Sequence, residues 1–319
     1  MNQLRQRRFG ELQVIDGGAN SSLSVDVAKA CGVELTKCYV SRFPDGESDV
    51  RVDDDVRGND VFVVQSTCTP VNDHLMDLLL ILDALKRASA GRVTAVMPYY
   101  GYARKDRKDE GRVPISSKLV ANMIVAAGAD RVLALELHAA QIQGFFDIPM
   151  DHLYAAPVFV DHFTEKGIVE PVIVAPDVGG IKLARAYAKR LGGSLAIVDK
   201  RRVDPGEAKA MHLIGEVEGR DVILMDDMIA TGGTMAEAVR VVRDAGCGKV
   251  FLAATHGVFA GPAVERFREL PAEEIAVTDS IPQRAAVQEF ATVLSVGPLL
   301  GQAIHRIHES LSVSSLFVD

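Results

Sequence analysis

Short runs of β-branched and aliphatic residues alternate along this chain with longer stretches in which apolar positions recur every three or four residues. The short runs predict strands at residues 12–15, 38–42, 61–65, 93–97 and 131–135, and again at 172–175, 195–198, 222–225, 249–254 and 274–277. The longer periodicity predicts helices at 22–30, 72–88, 115–127, 179–191, 235–244 and 262–269. Strand and helix in alternation imply α/β architecture, with parallel sheets covered by helices on both faces. The two halves share order and length, which points to a duplication, although no short-period repeat accompanies it. Asp147-Ile148-Pro149 marks the boundary, dividing the chain into domains at 1–150 and 151–300, with a C-terminal helix and tail at 301–319 packing back on the first.

At 319 residues, two domains of ordinary size can each bury a core. An apolar share of 48% with 24% charged residues describes a globular chain. The net charge of −8 argues against a general nucleic-acid binder or a protein of anionic membranes. Cys31, Cys38, Cys68 and Cys247 form no CxxC pair and no zinc spacing, so they read as idle thiols of a reducing cytosol. The opening Met1-Asn2-Gln3-Leu4-Arg5-Gln6-Arg7-Arg8 is charged with no apolar stretch behind it, so no signal peptide is expected. Residues 75–85 are the most apolar segment. They are too short to span a bilayer and read as a helix buried on most sides. A soluble cytoplasmic protein is expected, without membrane or nucleic-acid partners.

The densest chemistry lies in Val222-Ile223-Leu224-Met225-Asp226-Asp227-Met228-Ile229-Ala230-Thr231-Gly232-Gly233-Thr234. A buried strand ends in two carboxylates, and a Thr-Gly-Gly-Thr turn then opens a helix. Glycines at such a turn let backbone N–H groups converge on one anion, and the helix N-terminus adds partial positive charge. Thr231 and Thr234 add hydroxyls. Like charge keeps Asp226 and Asp227 off that anion, leaving them for sugar hydroxyls or Mg2+. Phosphate at one end and vicinal hydroxyls at the other describe a ribose 5-phosphate. No Lys follows the second glycine, which excludes a nucleotide P-loop.

Other strand ends add weaker signals. Pro98-Tyr99-Tyr100-Gly101-Tyr102-Ala103-Arg104-Lys105-Asp106-Arg107-Lys108 reads by composition as a charged surface loop, and by its place as a nucleotide contact. Asp177, before Gly179-Gly180, either ligates Mg2+ or caps the next helix. His138 ends the strand that starts at Arg131. The segment Asp199-Lys200-Arg201-Arg202-Val203-Asp204-Pro205-Gly206 is an exposed basic turn by default, or a mobile loop bringing charge to a phosphoryl-transfer site.

Together these segments resemble the ribose-phosphate pyrophosphokinase family along nearly the whole chain. The carriers include Phe43-Pro44-Asp45-Gly46-Glu47, residues 65–73, 98–108, 138–149 and 176–180, Lys200-Arg201-Arg202, and 226–234. The resemblance implies two phosphoribosyltransferase-like domains, each a mostly parallel sheet with helices on both faces. It implies ATP, Mg2+ and ribose 5-phosphate as ligands meeting between them, and transfer of the β,γ-diphosphoryl group to the C1 hydroxyl with release of AMP. Residue by residue, it assigns Asp226, Asp227, Ala230, Thr231, Gly232, Gly233 and Thr234 to ribose 5-phosphate. Phe43, Asp45, Glu47, Arg104, Lys105 and Asp106 fall to ATP, with Phe43 supplied by a neighbouring subunit. His138 and Asp177 fall to magnesium, and Lys200 with Arg202 to catalysis. A homo-oligomer, a hexamer built from dimers, is implied as well.

Four positions depart from the family pattern. Lys105 stands where bacterial relatives carry Gln, which bears on adenine selectivity. Ala230 replaces an acidic residue, and Glu136 replaces Asp. Asp55 replaces a Ser of the regulatory phosphate site, which Arg57, Ser312, Ser314 and Phe317 still match, so weakened control by phosphate and ADP is expected. A phosphoribosyltransferase shares the 226–234 loop but has no use for the nucleotide segments. A regulatory subunit of little activity would lose Lys200, Arg202, Asp226 or Asp227, all of which remain.

Overall fold

Asn20 and Gly32 bracket the first helix for opposite reasons. The Asn20 side chain accepts from the Leu23 N–H, satisfying a donor that the first turn leaves open, and Gly32 takes the left-handed conformation that closes the last turn. The computed structural model describes residues 9–201 and 210–316, the side chains of 200, 201, 210 and 211 excepted. The chain divides into two compact units. Of the described residues, one holds 9–154, 280–282 and 296–316; the other holds 155–201, 210–279 and 283–295.

The first unit comprises β1 (Leu12–Asp16), α1 (Ser21–Cys31), β2 (Leu35–Thr36), β3 (Cys38–Arg42), β4 (Ser48–Val52), β5 (Asp60–Val64), α2 (Val71–Arg87), β6 (Arg92–Met97), α3 (Ser116–Ala127), β7 (Arg131–Leu135) and β8 (Met150–Leu153). Its main sheet runs β2-β1-β5-β6-β7-β8, every pair parallel. The β3–β4 hairpin stands apart as an antiparallel pair. The second unit comprises α4 (Ala156–Glu165), β9 (Val172–Ala175), α5 (Ile181–Arg190), β10 (Ser194–Arg201), β11 (Ala210–Ile214), β12 (Val222–Ile229), α6 (Gly233–Asp244), β13 (Val250–Gly257), α7 (Ala263–Arg268), β14 (Glu274–Thr278), α8 (Ala285–Gln288) and β15 (Thr292–Leu294). Its sheet runs β11-β10-β9-β12-β13-β14-β15, parallel except for β10 with β11. The last helix, α9 (Gly297–His308), belongs to the first unit.

With the hairpin and β11 set aside, both sheets wind alike. The first strand gains a neighbour on one side, and the chain then reverses to build outward on the other. That reversal lies between β1 and β5 in one unit and between β9 and β12 in the other. Loops at the carboxyl ends of strands flanking such a reversal form a crevice suited to ligands.

The apolar runs predicted as strands are strands, but the pattern missed β2, β4, β8, β11 and β15, along with helices α4 and α8; the helix expected near the C-terminus is α9. Short strands without a fully buried position carry a weak apolar signal: β4 and β15 are half exposed along their length. The segment at 75–85 was expected to be buried on most sides. In α2 one face is buried, through Leu75, Leu78, Ile81, Leu82 and Leu85, while Met76 is exposed. Asp77 is buried with that face because Arg42 (2.8 Å) and Ser48 (2.7 Å) hydrogen-bond it from the hairpin.

Helix α9 reaches the first unit through Gly301, whose place against Ala30 of α1 leaves no room for a Cβ. Its last residue, His308, places Nδ1 2.8 Å from Oδ2 of the fully buried Asp60, which also accepts from Arg92 at 2.7 and 2.5 Å. Arg92 in turn donates to the Ile307 carbonyl at 3.2 Å. A buried carboxylate needs such a full set of partners. Among the described residues no helix is long and apolar enough to cross a membrane.

Candidate active site

Two carboxylates were expected just beyond a strand ending at 225. Strand β12 runs on to Ile229, so Asp226 and Asp227 lie within it, half-buried, with Asp226 opposite Ala254 of β13. Consecutive strand residues face opposite sides of the sheet. The Asp227 N–H nonetheless donates to Asp226 Oδ1 at 2.9 Å, turning the two acidic groups into one local cluster. Burial first, and then the neighbouring Asp227 carboxylate, push the Asp226 carboxyl up to about 8 from 3.8. Asp177, beyond the adjacent strand β9, adds further negative potential.

The turn after β12 has the geometry that its glycines imply. Gly232 has φ of 72°, a left-handed conformation, and the Phe267 ring occupies the space where a side chain would project. Helix α6 begins at Gly233 with no side chain capping it, so its first N–H groups remain open to an anion. Thr231 is exposed, and Gly233 and Thr234 are half-buried. The turn is fastened from β13 and α7. Phe259 N–H donates to Ile229 O at 3.1 Å, Ala260 N–H donates to Ala230 O at 2.9 Å, and the Arg266 guanidinium donates to the Thr231 carbonyl. Sequence reasoning missed Arg266 and Phe267. Their signal was topological: β13 adjoins β12, so the segment following it shares the same rim.

Asp177 caps the short turn before α5, its Oδ1 accepting from Gly179 (2.8 Å) and Gly180 (3.3 Å). The capping alternative is therefore realised. Its second oxygen makes no hydrogen bond among the described residues, so capping leaves one oxygen for a cation.

In the first unit, the turn between β3 and β4 presents Phe43, 49% exposed, with Asp45 and Glu47 also exposed. Phe43 N–H donates to Glu47 O at 2.8 Å, Gly46 N–H to Phe43 O at 2.9 Å and Glu47 N–H to Asp45 Oδ1 at 3.2 Å, which makes this tip a defined platform. The loop after β6 is anchored at its stem. Tyr99 and Tyr100 are buried, Tyr100 OH donates to Ser117 O at 2.7 Å, and Gly101 N–H donates to Thr67 Oγ1 at 2.6 Å. A cavity of about 330 Å³ opens there, lined by Val71, Tyr99, Gly101, Tyr102, Arg104, Lys105 and Ser116. Lys105 does not reach freely into it. Asp109 holds its ammonium at 2.7 Å and raises its pKa above the ordinary value. Asp106 accepts from Gln141 at 2.5 Å.

His138 is exposed beyond β7. The preceding backbone is fixed by His152, whose Nε2 accepts from the Leu137 N–H at 2.9 Å, a structural role. Glu136 is buried at a φ of 41°. The segment at 65–70 holds no glycine, and its hydroxyls are occupied: Ser66 donates to Ser280 O at 2.6 Å and Thr67 to Tyr99 O at 3.1 Å.

Arg202, Phe317 and the Lys200 side chain lie outside the described residues; the Lys200 backbone pairs with Met211. Arg57, Ser312 and Ser314 are exposed in the first unit, and no hydrogen bond links Arg57 to either serine. The Asp55 carboxylate accepts from the Arg57 N–H at 3.0 Å. Among the described residues no group of three or more His, Cys, Asp and Glu side chains is arranged to hold a metal ion by itself.

Comparison with known proteins agrees along the chain. The family model for the N-terminal domain of ribose phosphate pyrophosphokinase matches residues 12–128, and that for the phosphoribosyl synthetase-associated domain matches 201–318. A ribose-phosphate pyrophosphokinase of Rhodopirellula baltica is 53% identical over 311 residues, covering 96% of this chain and 98% of that one. One from Nostoc sp. is 51% identical over 308 residues, covering 96% and 93%. The crystal structure of phosphoribosylpyrophosphate synthetase from Mycobacterium smegmatis superposes with a TM-score of 0.89 at 42% identity, covering 94% of this chain and 100% of that one.

Proposed function

The chain belongs to the ribose-phosphate pyrophosphokinase family, and from that premise we propose how its residues divide the work of the reaction. The protein is a ribose-phosphate diphosphokinase, making phosphoribosyl pyrophosphate from ribose 5-phosphate and ATP. The C1 hydroxyl oxygen bonds to the β-phosphorus, the bond between that phosphorus and the α-phosphate oxygen breaks, AMP departs, and the hydroxyl proton is lost.

The observation that carries the residue assignment is the turn at 231–234, an uncapped helix start placed one short loop beyond a pair of carboxylates. Thr231, Gly232, Gly233 and Thr234 receive the 5-phosphate, Ala230 shapes the entry to the turn, and Asp226 with Asp227 accepts from the ribose hydroxyls. Phe43 offers a face for the adenine of a neighbouring subunit, with Asp45 and Glu47 beside it. Arg104, Lys105 and Asp106 contact the nucleotide at the cavity edge. Lys200 and Arg202 neutralise the phosphates in flight, the kind of preorganised charge that dominates phosphoryl transfer.

Carboxylate oxygens suit Mg2+, which takes one or two of them and completes its shell with water and substrate phosphate. The spare oxygen of Asp177 fits that demand, and a cation there would offset the negative potential that, after burial, raises the pKa of Asp226. The His138 imidazole is a softer donor and the weaker match. When bound, the cation neutralises the diphosphoryl oxygens. Asp177 would hold it in the second unit.

Purified protein given ATP and ribose 5-phosphate with Mg2+ should release AMP and phosphoribosyl pyrophosphate in equal amounts, whereas a phosphoribosyltransferase would release none. Lys200→Ala should lower kcat by about 10²–10³, the scale of one lost electrostatic stabiliser. Near-normal turnover in that variant removes Lys200 from the mechanism.

A further inference from the structure

The stretch at 226–234 contains two carboxylates and no Lys or Arg, yet its turn is shaped for a doubly charged phosphate. Backbone donors and a helix end supply only partial charge. A full positive charge is nonetheless present at the turn, brought from another element. Arg266 of α7 donates through Nη1 to the Thr231 carbonyl, and that nitrogen lies 3.8 Å from where a Cβ on Gly233 would project. A guanidinium has five N–H donors, and among the described residues Arg266 makes only this one side-chain hydrogen bond.

Its neighbour Phe267 explains why the guanidinium stands there. The Phe267 ring is buried against Gly232 and meets Phe259 edge-on at a centroid distance of 5.5 Å. Phe259 is tied through its backbone to Ile229. Helix α7 is thus locked to the turn by an aromatic contact at one residue, and the preceding residue delivers charge to the adjacent peptide.

We propose that Arg266 is the residue that makes this site select a phosphorylated sugar, holding the Thr231 carbonyl as its partner and turning its remaining donors to the 5-phosphate. The carbonyl matters as much as the charge. An unpartnered carbonyl oxygen at the rim of an anion site repels the ligand, and a guanidinium bound to it removes that repulsion while staying within reach of the phosphate. This role rests on the assignment of ribose 5-phosphate to the turn at 231–234.

The test is steady-state kinetics of the full-length enzyme carrying Arg266→Gln, Arg266→Lys or Thr234→Val, with melting temperatures measured alongside. Gln can still donate to the carbonyl but lacks the charge. Arg266→Gln should raise the KM for ribose 5-phosphate about tenfold or more, the scale of a lost charge-assisted hydrogen bond. Its KM for ATP should stay within about twofold, and its ribose 5-phosphate KM should depend less on salt than the parent's. Arg266→Lys should recover part of the affinity. If Thr234→Val weakens ribose 5-phosphate but Arg266→Gln does not, the Arg266 proposal falls while the turn keeps its ligand. If neither variant changes that KM, the assignment of the turn falls and Arg266 falls with it. Equal rises in both KM values with a lowered melting temperature, unrelieved by Lys, would reduce Arg266 to a structural role.

Discussion

Asp226 carries a chemical cost that its ligand relieves. With its folded-state pKa at about 8 against an ordinary 3.8, the folded chain keeps a proton there that the unfolded chain has already released. Stability therefore falls as pH rises through that window, and the loss is complete above it. Asp226→Asn removes the titration. The metal-free variant should melt above the parent by a margin that grows between about pH 5 and pH 9, reaching on the order of a few kcal/mol. A margin independent of pH would show that Asp226 ionises normally. The same variant should bind ribose 5-phosphate poorly, since an amide both donates and accepts where the sugar needs an acceptor. Lys105 poses a separate question. Asp109 already holds its ammonium, so Lys105→Gln should free no new partner for the base, and we expect a change of less than about threefold in discrimination between ATP and GTP, about half of the 1.4 kcal/mol that a factor of ten represents. A larger change in competition assays would place Lys105 in direct contact with the base.

Secondary-structure elements act here as delivery devices, and two glycines show how. Gly232 permits both the left-handed turn and the close approach of Phe267. Gly232→Ala should lower the melting temperature and raise the KM for ribose 5-phosphate, because the backbone strain alone is about 1 kcal/mol and the ring must also move. Gly301 lets α9 lie against α1, and the Asp60–Arg92–His308 cluster anchors the end of that helix. Asp60→Ala strands a buried guanidinium and should cost about 3–5 kcal/mol, read as a lower urea midpoint. These relations also mark what was legible beforehand. The strand ends carrying Asp226 and Asp177 declare themselves through apolar runs followed by acidic and glycine residues. The Arg266 contact does not, because nothing in the local pattern of α7 points to a turn 35 residues earlier. Helix α9 was legible as a helix packing back on the first unit, but its seat against α1 at Gly301 was not, because periodicity carries no information about partners.

The two units share a winding but not a chemistry. The first presents a half-exposed aromatic at a rigid hairpin tip and a lined cavity behind β6; the second presents the uncapped glycine turn. An exposed Phe43 at a fixed tip supports an active site completed by another copy, so we expect a homo-oligomer by sedimentation, and Phe43→Ala should raise the KM for ATP while leaving that for ribose 5-phosphate near the parent value. A monomer with full activity would refute the shared site. Where the second unit has its glycine turn after β12, the first has the segment after β5, with hydroxyls already bonded to Ser280 and Tyr99 and Gly101 packed against Thr67. The hydroxyls of that segment are thus already occupied. Calorimetric titration with ribose 5-phosphate should therefore saturate at one molar equivalent per polypeptide, whatever the assembly, with the whole of that heat owed to the second unit's turn.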